Sequence, residues 1–527
     1  MRPTNLAFVL IAKRAERQND DVLEKTFVDF GSVSTVLSSI AHQVIFGRRG
    51  TGKTHLLTVH RRNQRTNGEI AIQLDMRNLG SAGGIYGDPN IPLPERATRL
   101  LIDILSDIHE RLLDAATEEG STVNLSALGP ILNELFDAHR EVRVVGTTTV
   151  EDAQSAETSS GWTAKLGISG SLAKLGMSGE VQGSDTAKST DSGKITVSGQ
   201  ATPRLNFGKV GAVFRKLANV LPKGNLSILI DEWSEVPLDL QPYVADLLRR
   251  AVLPAKGITI KIAAIEQRSR FLIPDAVGGN IGIELGSDVA TAINLDDYMV
   301  FDNDEKKAVA FFKSLVLKHV QVALGLRNMP APQTEAELIS QGFTQINAFE
   351  EVVRACEGVP RDAINILSHA AQRTVDETVA VADVRAAARQ WYLASKDAEV
   401  NAHPQARTLL TWIVDKVIKE RQTKAFLLEA GTRDGPIDFL YDERVLHVLR
   451  KGISAKDEPG KRYNVYGIDY GCYVDLINTA KAPQGLLDLG DSAAEYEETV
   501  PKTDLRSVRR CVLQLSAFYA DSTAAAA

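Results

Sequence analysis

Gly47-Arg48-Arg49-Gly50-Thr51-Gly52-Lys53-Thr54 is the stretch that decides the fold. It matches GxxxxGK(S/T) in full. It follows a short apolar run, His42 to Phe46, that reads as a strand, and a helix opens near Lys53 with His55, Leu56 and Leu57. The glycines let the backbone curl so that its N–H groups point at phosphate oxygens. The helix N-terminus adds positive potential. In such a loop Lys53 reaches the β- and γ-phosphates and Thr54 ligates Mg²⁺. The expected nucleotide-binding set is therefore Gly47, Arg48, Arg49, Gly50, Thr51, Gly52, Lys53, Thr54 and His55.

Working outward, three more short apolar runs rich in β-branched residues read as strands: 69–75 (EIAIQLD), 226–231 (LSILID) and 258–265 (ITIKIAAI). All are short and apolar, as strands buried on both faces should be. Helical patterns separate them, at 96–116 and 207–220. Strands alternating with helices predict a parallel α/β sheet. The run at 226–231 ends in Asp231-Glu232. Asp231 is the expected partner of Mg²⁺, and Glu232 the expected general base that polarises the attacking water. The next strand ends in Glu266-Gln267-Arg268-Ser269-Arg270, between the two phosphate motifs. Gln267 or Glu266 is suited to orient the water. Arg268 and Arg270 are candidate arginine fingers for a neighbour's ATP, or plain surface arginines. Gly358-Val359-Pro360-Arg361-Asp362 opens a later helix, with proline where the first turn tolerates it. Arg361, one residue on, can point from a lid toward the γ-phosphate.

The chain has 527 residues, which suggests three to four domains and a core that needs no disulfides. Its 44% hydrophobic and 24% charged residues exclude a collagen or a wholly disordered chain. Cys356, Cys472 and Cys511 are odd in number and far apart, with no CxxC, which argues against zinc and redox motifs and fits a reducing cytoplasm. With 60 basic and 67 acidic residues the net charge is −7, so any DNA contact must come from a local basic patch. The apolar run Leu6 to Ala12 is too short to span a bilayer and is followed by Lys13-Arg14, so neither a membrane segment nor a leader is expected.

Residues 147–203 break the α/β pattern with Ser, Thr, Gly and Ala. Within them 164–170 (AKLGISG) recurs as 173–179 (AKLGMSG). Apolar parity switches between Trp162–Leu172 and Leu175–Val181, which suggests a β-hairpin, with Ile195 and Val197 as a possible third strand. A Gly/Ser-rich linker is the other reading. From residue 302 to about 400 the chain reads as helical, with Phe311, Phe312, Leu315, Val316 and Val320 at helical spacing. His403-Pro404 looks like a linker. Beyond it come expected helices at 408–420 and 442–450, two alternating runs at 462–469 and 471–476, and a terminal helix over 504–519. Arg444, Arg450, Lys451, Lys456, Lys461 and Arg462 make 444–462 locally basic, which suits phosphate contacts.

The ordered set GRRGTGKT, LSILIDEW, a polar end to the next strand and GVPR in a helical lid resembles an AAA+ ATPase. Within that class it is similar to the origin-recognition and archaeal replication-initiator type, over roughly residues 26–480. The resemblance implies a P-loop NTPase parallel sheet in residues 1–300, carrying the insert 147–203. It implies a helical lid in 301–402, a C-terminal winged-helix-like domain in 403–485 and a tail in 486–527. It casts Arg361 as the lid sensor, Gln267 as the first sensor and Arg268 or Arg270 as the finger. The expected function is Mg²⁺-dependent ATP hydrolysis by a cytoplasmic homo-oligomer that binds DNA through the winged helix, in replication, mobile-element or host-defence transactions. In that domain the 442–450 helix would enter a major groove and 463–476 would form the wing. The alternative is a signal-transduction switch whose ATP state gates assembly with a protein partner. The insert and the long stretch 271–289 depart from the family pattern.

Overall fold

The structure, a computed structural model, describes residues 1–12, 14–80, 86–88, 90–118, 121, 123–139, 142–152, 193–203, 205–274, 279–289, 291–300, 304–419, 425–454, 460–478, 508 and 511–526. In chain order the first nine strands are β1 (Gln43–Phe46), β2 (Ile70–Asp75), β3 (Val142–Asp152), β4 (Gly193–Pro203), β5 (Leu226–Asp231), β6 (Ile258–Ala264), β7 (Leu272–Pro274), β8 (Asn280–Gly282) and β9 (Thr291–Asn294). Five of them form a sheet in the order β2-β5-β6-β1-β9, with every neighbour parallel. Every residue of β1 and β5 is buried, because helices cover both faces. On one face Leu100, Ile104, Phe214 and Leu217 pack against Ile72, Ile228 and Ile260. On the other, Leu37, Leu56 and Leu57 meet Ile45, Leu229 and Ala263.

The parallel register brings the strand ends level, with Phe46 beside Ala264, Ile230 beside Ile262 and Asp75 beside Asp231. The loops after β1, β5 and β6 therefore leave from one edge. All four runs read as strands are strands in this sheet. The fifth, β9, is four residues long with one large apolar side chain, Ile293, too little for a sequence pattern to register.

The insert begins earlier than composition suggests. β3 and β4 form an antiparallel ribbon outside the sheet, from Val142 opposite Pro203 to Asp152 opposite Gly193. Ile195 and Val197 lie opposite Val150 and Thr148. The hairpin expected over 164–181 lies outside the described residues.

A helical layer follows: Glu305–Gly325, Glu335–Gly342, Ile346–Ala355, Pro360–Thr374 and Val381–Trp391. The first helix of the chain, Pro3–Leu10, belongs to this layer. Ala7 and Phe8 enter its core, and the Asn5 amide donates to the Thr374 hydroxyl at 3.1 Å and to the Glu377 carbonyl at 2.9 Å. The apolar run at the N-terminus is thus core of this helical layer. Glu305–Gly325 has the length and apolarity of a membrane span, but its residues Phe312, Val316 and Val320 are buried in the same core.

The C-terminal domain opens with the helix Pro404–Trp412, continued through Ile413–Lys419. β10 (Ala425–Glu429), the helix Gly435–Asp442, β11 (Leu446–Ile453), β12 (Tyr463–Ile468) and the helix Tyr470–Asn478 follow. The strands form an antiparallel sheet in the order β10-β12-β11. Two expectations fail here. Residues 446–453 are a strand, not a helix, because Arg444 turns the chain in the left-handed region (φ 60°) and Leu446, His447 and Val448 pair with Ile468, Gly467 and Tyr466. Residues 471–476 are a helix, not a strand, because Asp469 caps it by accepting from the Cys472 N–H at 3.1 Å. The hairpin is therefore β11–β12. Only Glu443, Arg444 and Val445 separate the preceding helix from β11, which leaves no second helix there to enter a groove. Where a terminal helix is expected over 504–519, the described helix is Leu515–Ala526, so the two share only 515–519. Just before it, residues 511–513 add beside β10, with Leu427 N–H to the Cys511 carbonyl at 2.7 Å.

Trp233 follows the two acids of β5 and has no exposed surface. It stacks on Phe271 at 5.0 Å and donates its indole N–H to Gln241 at 3.1 Å. Trp233→Ala should cost about 3–5 kcal/mol. Chemical denaturation followed by circular dichroism checks this; an unchanged midpoint would contradict the packing.

Candidate nucleotide-binding site

The loop after β1 is held from inside. The Thr51 hydroxyl donates to the Arg48 carbonyl at 2.9 Å, and Gly52 stands at φ 94° as the helix Lys53–Thr66 begins. Lys53 Nζ donates to the carbonyls of Gly47 at 2.7 Å and Arg48 at 3.1 Å. Burial pushes its ammonium pKa down, opposed by the nearby charges of Glu232 and Asp231. Gly50 stands at φ 88°, and the N–H of Arg361 donates to its carbonyl at 3.2 Å. A Cβ on Gly50 would come within 2.8 Å of Arg361 Cβ. The glycine is needed there because the helical layer touches the loop at Arg361.

A cavity of about 380 Å³ lies over this contact, within the ~300–1,000 Å³ range of small-ligand sites. Its wall includes Arg49, Gly50, Gly52, Lys53, Thr54 and His55, Glu232 after β5, Arg361 and Ile364 from the helical layer, and Ala12, Arg14, Ala15 and Gln18 from the N-terminal segment. The Thr54 hydroxyl bonds the Asp231 carboxylate. Two hard oxygen donors thus sit together beside two cationic side chains, a set that fits Mg²⁺ with a triphosphate. Burial, then the charge of Glu232, raises the Asp231 pKa to about 6. Glu232 itself stands at φ 53°. Strained backbone of this kind persists where its surroundings hold it.

The structure brings Arg49, Gly50, Gly52, Lys53, Thr54, His55, Glu232 and Arg361 to one cavity wall, with Asp231 joined to it through Thr54, and leaves the candidates after β6 apart. Gln267, Arg268 and Arg270 lie outside the cavity wall. The Gln267 carbonyl accepts from Arg433 at 3.1 Å, and the Glu266 carboxylate is taken by Asn294 at 3.2 Å and Lys451 at 3.0 Å. Arg268 is paired in the same chain with Asp442 at 3.0 Å, whereas the Arg270 side chain is exposed. Arg49 reaches Glu235 at 3.3 Å and lies 3.9 Å from both Asp442 and Glu443. Sequence reasoning missed Arg77, which lines the cavity while gripping Asp75 with both Nε and Nη2. Its signal was an arginine two residues beyond the acid that ends β2, level with Asp231.

Arg48 turns away from the cavity. Its guanidinium is 1% exposed and meets Asp296 at 3.0 Å, the Glu357 carbonyl at 3.0 Å, His447 Nδ1, and the face of Tyr441 at 5.6 Å. Asp296 also accepts from the Arg48 N–H at 3.1 Å. Arginine has no acceptor, so His447 Nδ1 must accept and its Nε2–H faces Asp469 at 3.4 Å. Burial, and then Arg48, lower the His447 pKa to about 4, so the ring is neutral. Asp469 pairs with Lys396, Lys396 with Asp362 at 2.9 Å, and Asp362 with Arg444 at 3.4 Å. Arg444, one of the residues expected to touch DNA, is 7% exposed and committed to this network.

Fold and site together define a phosphate-binding-loop nucleotide site on a parallel α/β sheet. No protein-family model matches the chain, and no curated protein matches it. Among solved structures it is similar to the Thermotoga maritima RuvB Holliday junction branch migration motor, at 11% identity over 89% of this chain and 98% of that one, with a TM-score of 0.31. It is also similar to the Aeropyrum pernix ORC1 protein in complex with DNA, at 11% identity over 90% and 96%, with a TM-score of 0.28. At those values the functional reading rests on the site.

The raised pKa of Asp231 has a consequence with a definite sign. The folded state holds this proton more tightly than the unfolded chain, so its contribution is fully present below pH 3.8 and is lost as pH rises to about 6. Without nucleotide or Mg²⁺, Asp231→Asn should therefore gain up to about 3 kcal/mol relative to wild type between pH 4 and pH 7. Denaturation midpoints of both proteins across that range check it. Gly50→Ala should weaken ATP binding, read by titration with a fluorescent ATP analogue, because both its φ and the Arg361 contact oppose a Cβ.

Proposed function

We propose that this chain is a Mg²⁺-dependent ATPase of the AAA+ type. The observation that carries the reading is the convergence of Lys53, Thr54, Glu232 and Arg361 on one cavity, with the buried Asp231 bonded to Thr54. Lys53 leaves its two loop carbonyls to bind the β- and γ-phosphates. Thr54 and Asp231 hold Mg²⁺, which when bound draws charge from the phosphate oxygens. Glu232 accepts the proton of the attacking water. Arg361 neutralises charge on the terminal phosphate from the lid side. Arg14 and Gln18 line the same cavity from the N-terminal segment. Arg270 is the arginine this reading offers to a neighbouring subunit, since Arg268 is engaged by Asp442.

For the use of the nucleotide, the packing of the C-terminal domain on the loop favours a switch that gates assembly with a partner. DNA contact keeps a narrower basis: Arg450, Lys451, Lys461 and Arg462, all exposed on the β11–β12 hairpin. Lys456 lies outside the described residues. Phosphate contacts by these four would weaken steeply with salt, so salt-independent DNA affinity, or none at low salt with ATP present, favours the partner.

Lys53→Ala should abolish ATP binding. Glu232→Gln should keep binding and slow hydrolysis by about 10²–10⁴-fold, because an amide takes no proton. Equilibrium binding and phosphate release measured on the same samples check both; unchanged turnover in Glu232→Gln would refute the base assignment.

A further inference from the structure

We propose that the C-terminal domain is a working part of the nucleotide site: through His447 and Asp469 it positions Arg48, and with Arg48 the phosphate-binding loop. The inference rests on the reading of the cavity as an ATP site.

Four observations carry it. First, Arg48 belongs to the loop yet is no part of the cavity wall; its guanidinium joins the sheet edge at Asp296, the helical layer at Glu357 and the C-terminal domain at His447. Second, the chain of contacts closes on itself. His447 leads to Asp469, Lys396 and Asp362, and Asp362 follows Arg361, whose N–H bonds Gly50 of the same loop. Third, this circuit is buried: Arg48, His447, Asp469, Lys396 and Asp362 are each 2% exposed or less. Buried polar networks of this kind resist partial breakage, since each orphaned group bears its full desolvation penalty. Fourth, a shallower contact runs alongside it, from Arg49 toward Asp442 and Glu443.

The loop backbone over 47–50 therefore cannot change shape without disturbing β11 and the helix before it. Nucleotide needs that backbone in one geometry. Whatever ligand favours that geometry must also favour the docked domain, and the docked domain must favour the ligand by the same factor. His447 and Asp469 are positioning residues: they act on phosphate through Arg48 and touch none themselves.

The test uses the full chain. In wild type, a non-hydrolysable ATP analogue should slow amide exchange in β11 and β12 several-fold, and Lys53→Ala should remove that protection. His447→Ala should weaken ATP affinity about ten-fold, within the usual range of coupling between sites, with kcat changed far less than KM. His447→Asn keeps an acceptor near the Nδ1 position and should recover most of the affinity, which a loss of packing alone would not allow. Asp442→Asn, at the shallower contact, should give a smaller loss in the same direction and serves if His447→Ala does not fold. Wild-type exchange in β11 and β12 that ignores the nucleotide, or wild-type affinity in His447→Ala and Asp442→Asn, overturns the inference alone. A wild-type chain that binds no ATP overturns the ATPase reading and this inference with it.

Discussion

The ion pair between Asp296 and Arg48 is the constraint around which the molecule is arranged. Asp296 takes both the backbone N–H and the Nε of Arg48, fixing where the phosphate-binding loop leaves β1. With its guanidinium fixed and buried, Arg48 needs further acceptors, because a buried cation is tolerated only when its hydrogen bonds are filled. The helical layer supplies a carbonyl and the C-terminal domain supplies a histidine. One side chain thus ties the sheet, the helical layer and the C-terminal domain together.

The sequence made the sheet and the heart of the site legible for a shared reason. Strands buried on both faces are rich in apolar residues, so β2, β5 and β6 stand out from a single chain despite Gln73, Ser227 and Lys261. Phosphate chemistry fixes residue types at fixed spacing, so Lys53, Thr54, Asp231 and Glu232 could be named in advance, as could Arg361 in its GVPR setting. What stayed hidden was decided by distant partners. Asp296 is one of two adjacent aspartates after a four-residue strand, and nothing local marks it as the partner of a residue 248 positions away. Val445, Leu446, Val448 and Leu449 have the spacing of a helix face. They form a strand because β12 is there to pair with them and because Arg444, drawn inward by Asp362, turns the chain first. Arg268 looked like a surface arginine or a finger; Asp442, on another domain, claims it.

The junction is built from charges where apolar residues of similar volume would often be at least as stable. Buried ion pairs gain little net free energy, since desolvation offsets much of their attraction, but losing one partner is severely destabilising. Such a junction is therefore weak glue and a strict gauge. Apolar surfaces tolerate sliding, whereas Arg48, His447, Asp469, Lys396 and Asp362 fit one another in few arrangements. The electrostatics agree with a junction intact at neutral pH: Lys396 and the hydrogen bond from His447 overcome burial and hold the Asp469 carboxyl well below the usual carboxylate range, while His447 stays neutral.

Lys53 connects this gauge to the ligand. Its ammonium is bonded to the carbonyls of Gly47 and Arg48, the residues at the root of the loop. To reach a phosphate it must give up those carbonyls, and one of them belongs to the residue whose side chain docks the C-terminal domain. On the ATP-site reading, arrival of a phosphate would therefore change the forces on the Arg48 main chain. The Arg48 side chain cannot absorb the change alone, because Asp296 grips both parts of the residue at once. A stiff, doubly held arginine transmits what a flexible one would dissipate, and that stiffness joins chemistry at one edge of the sheet to the position of a domain at the other end of the sequence.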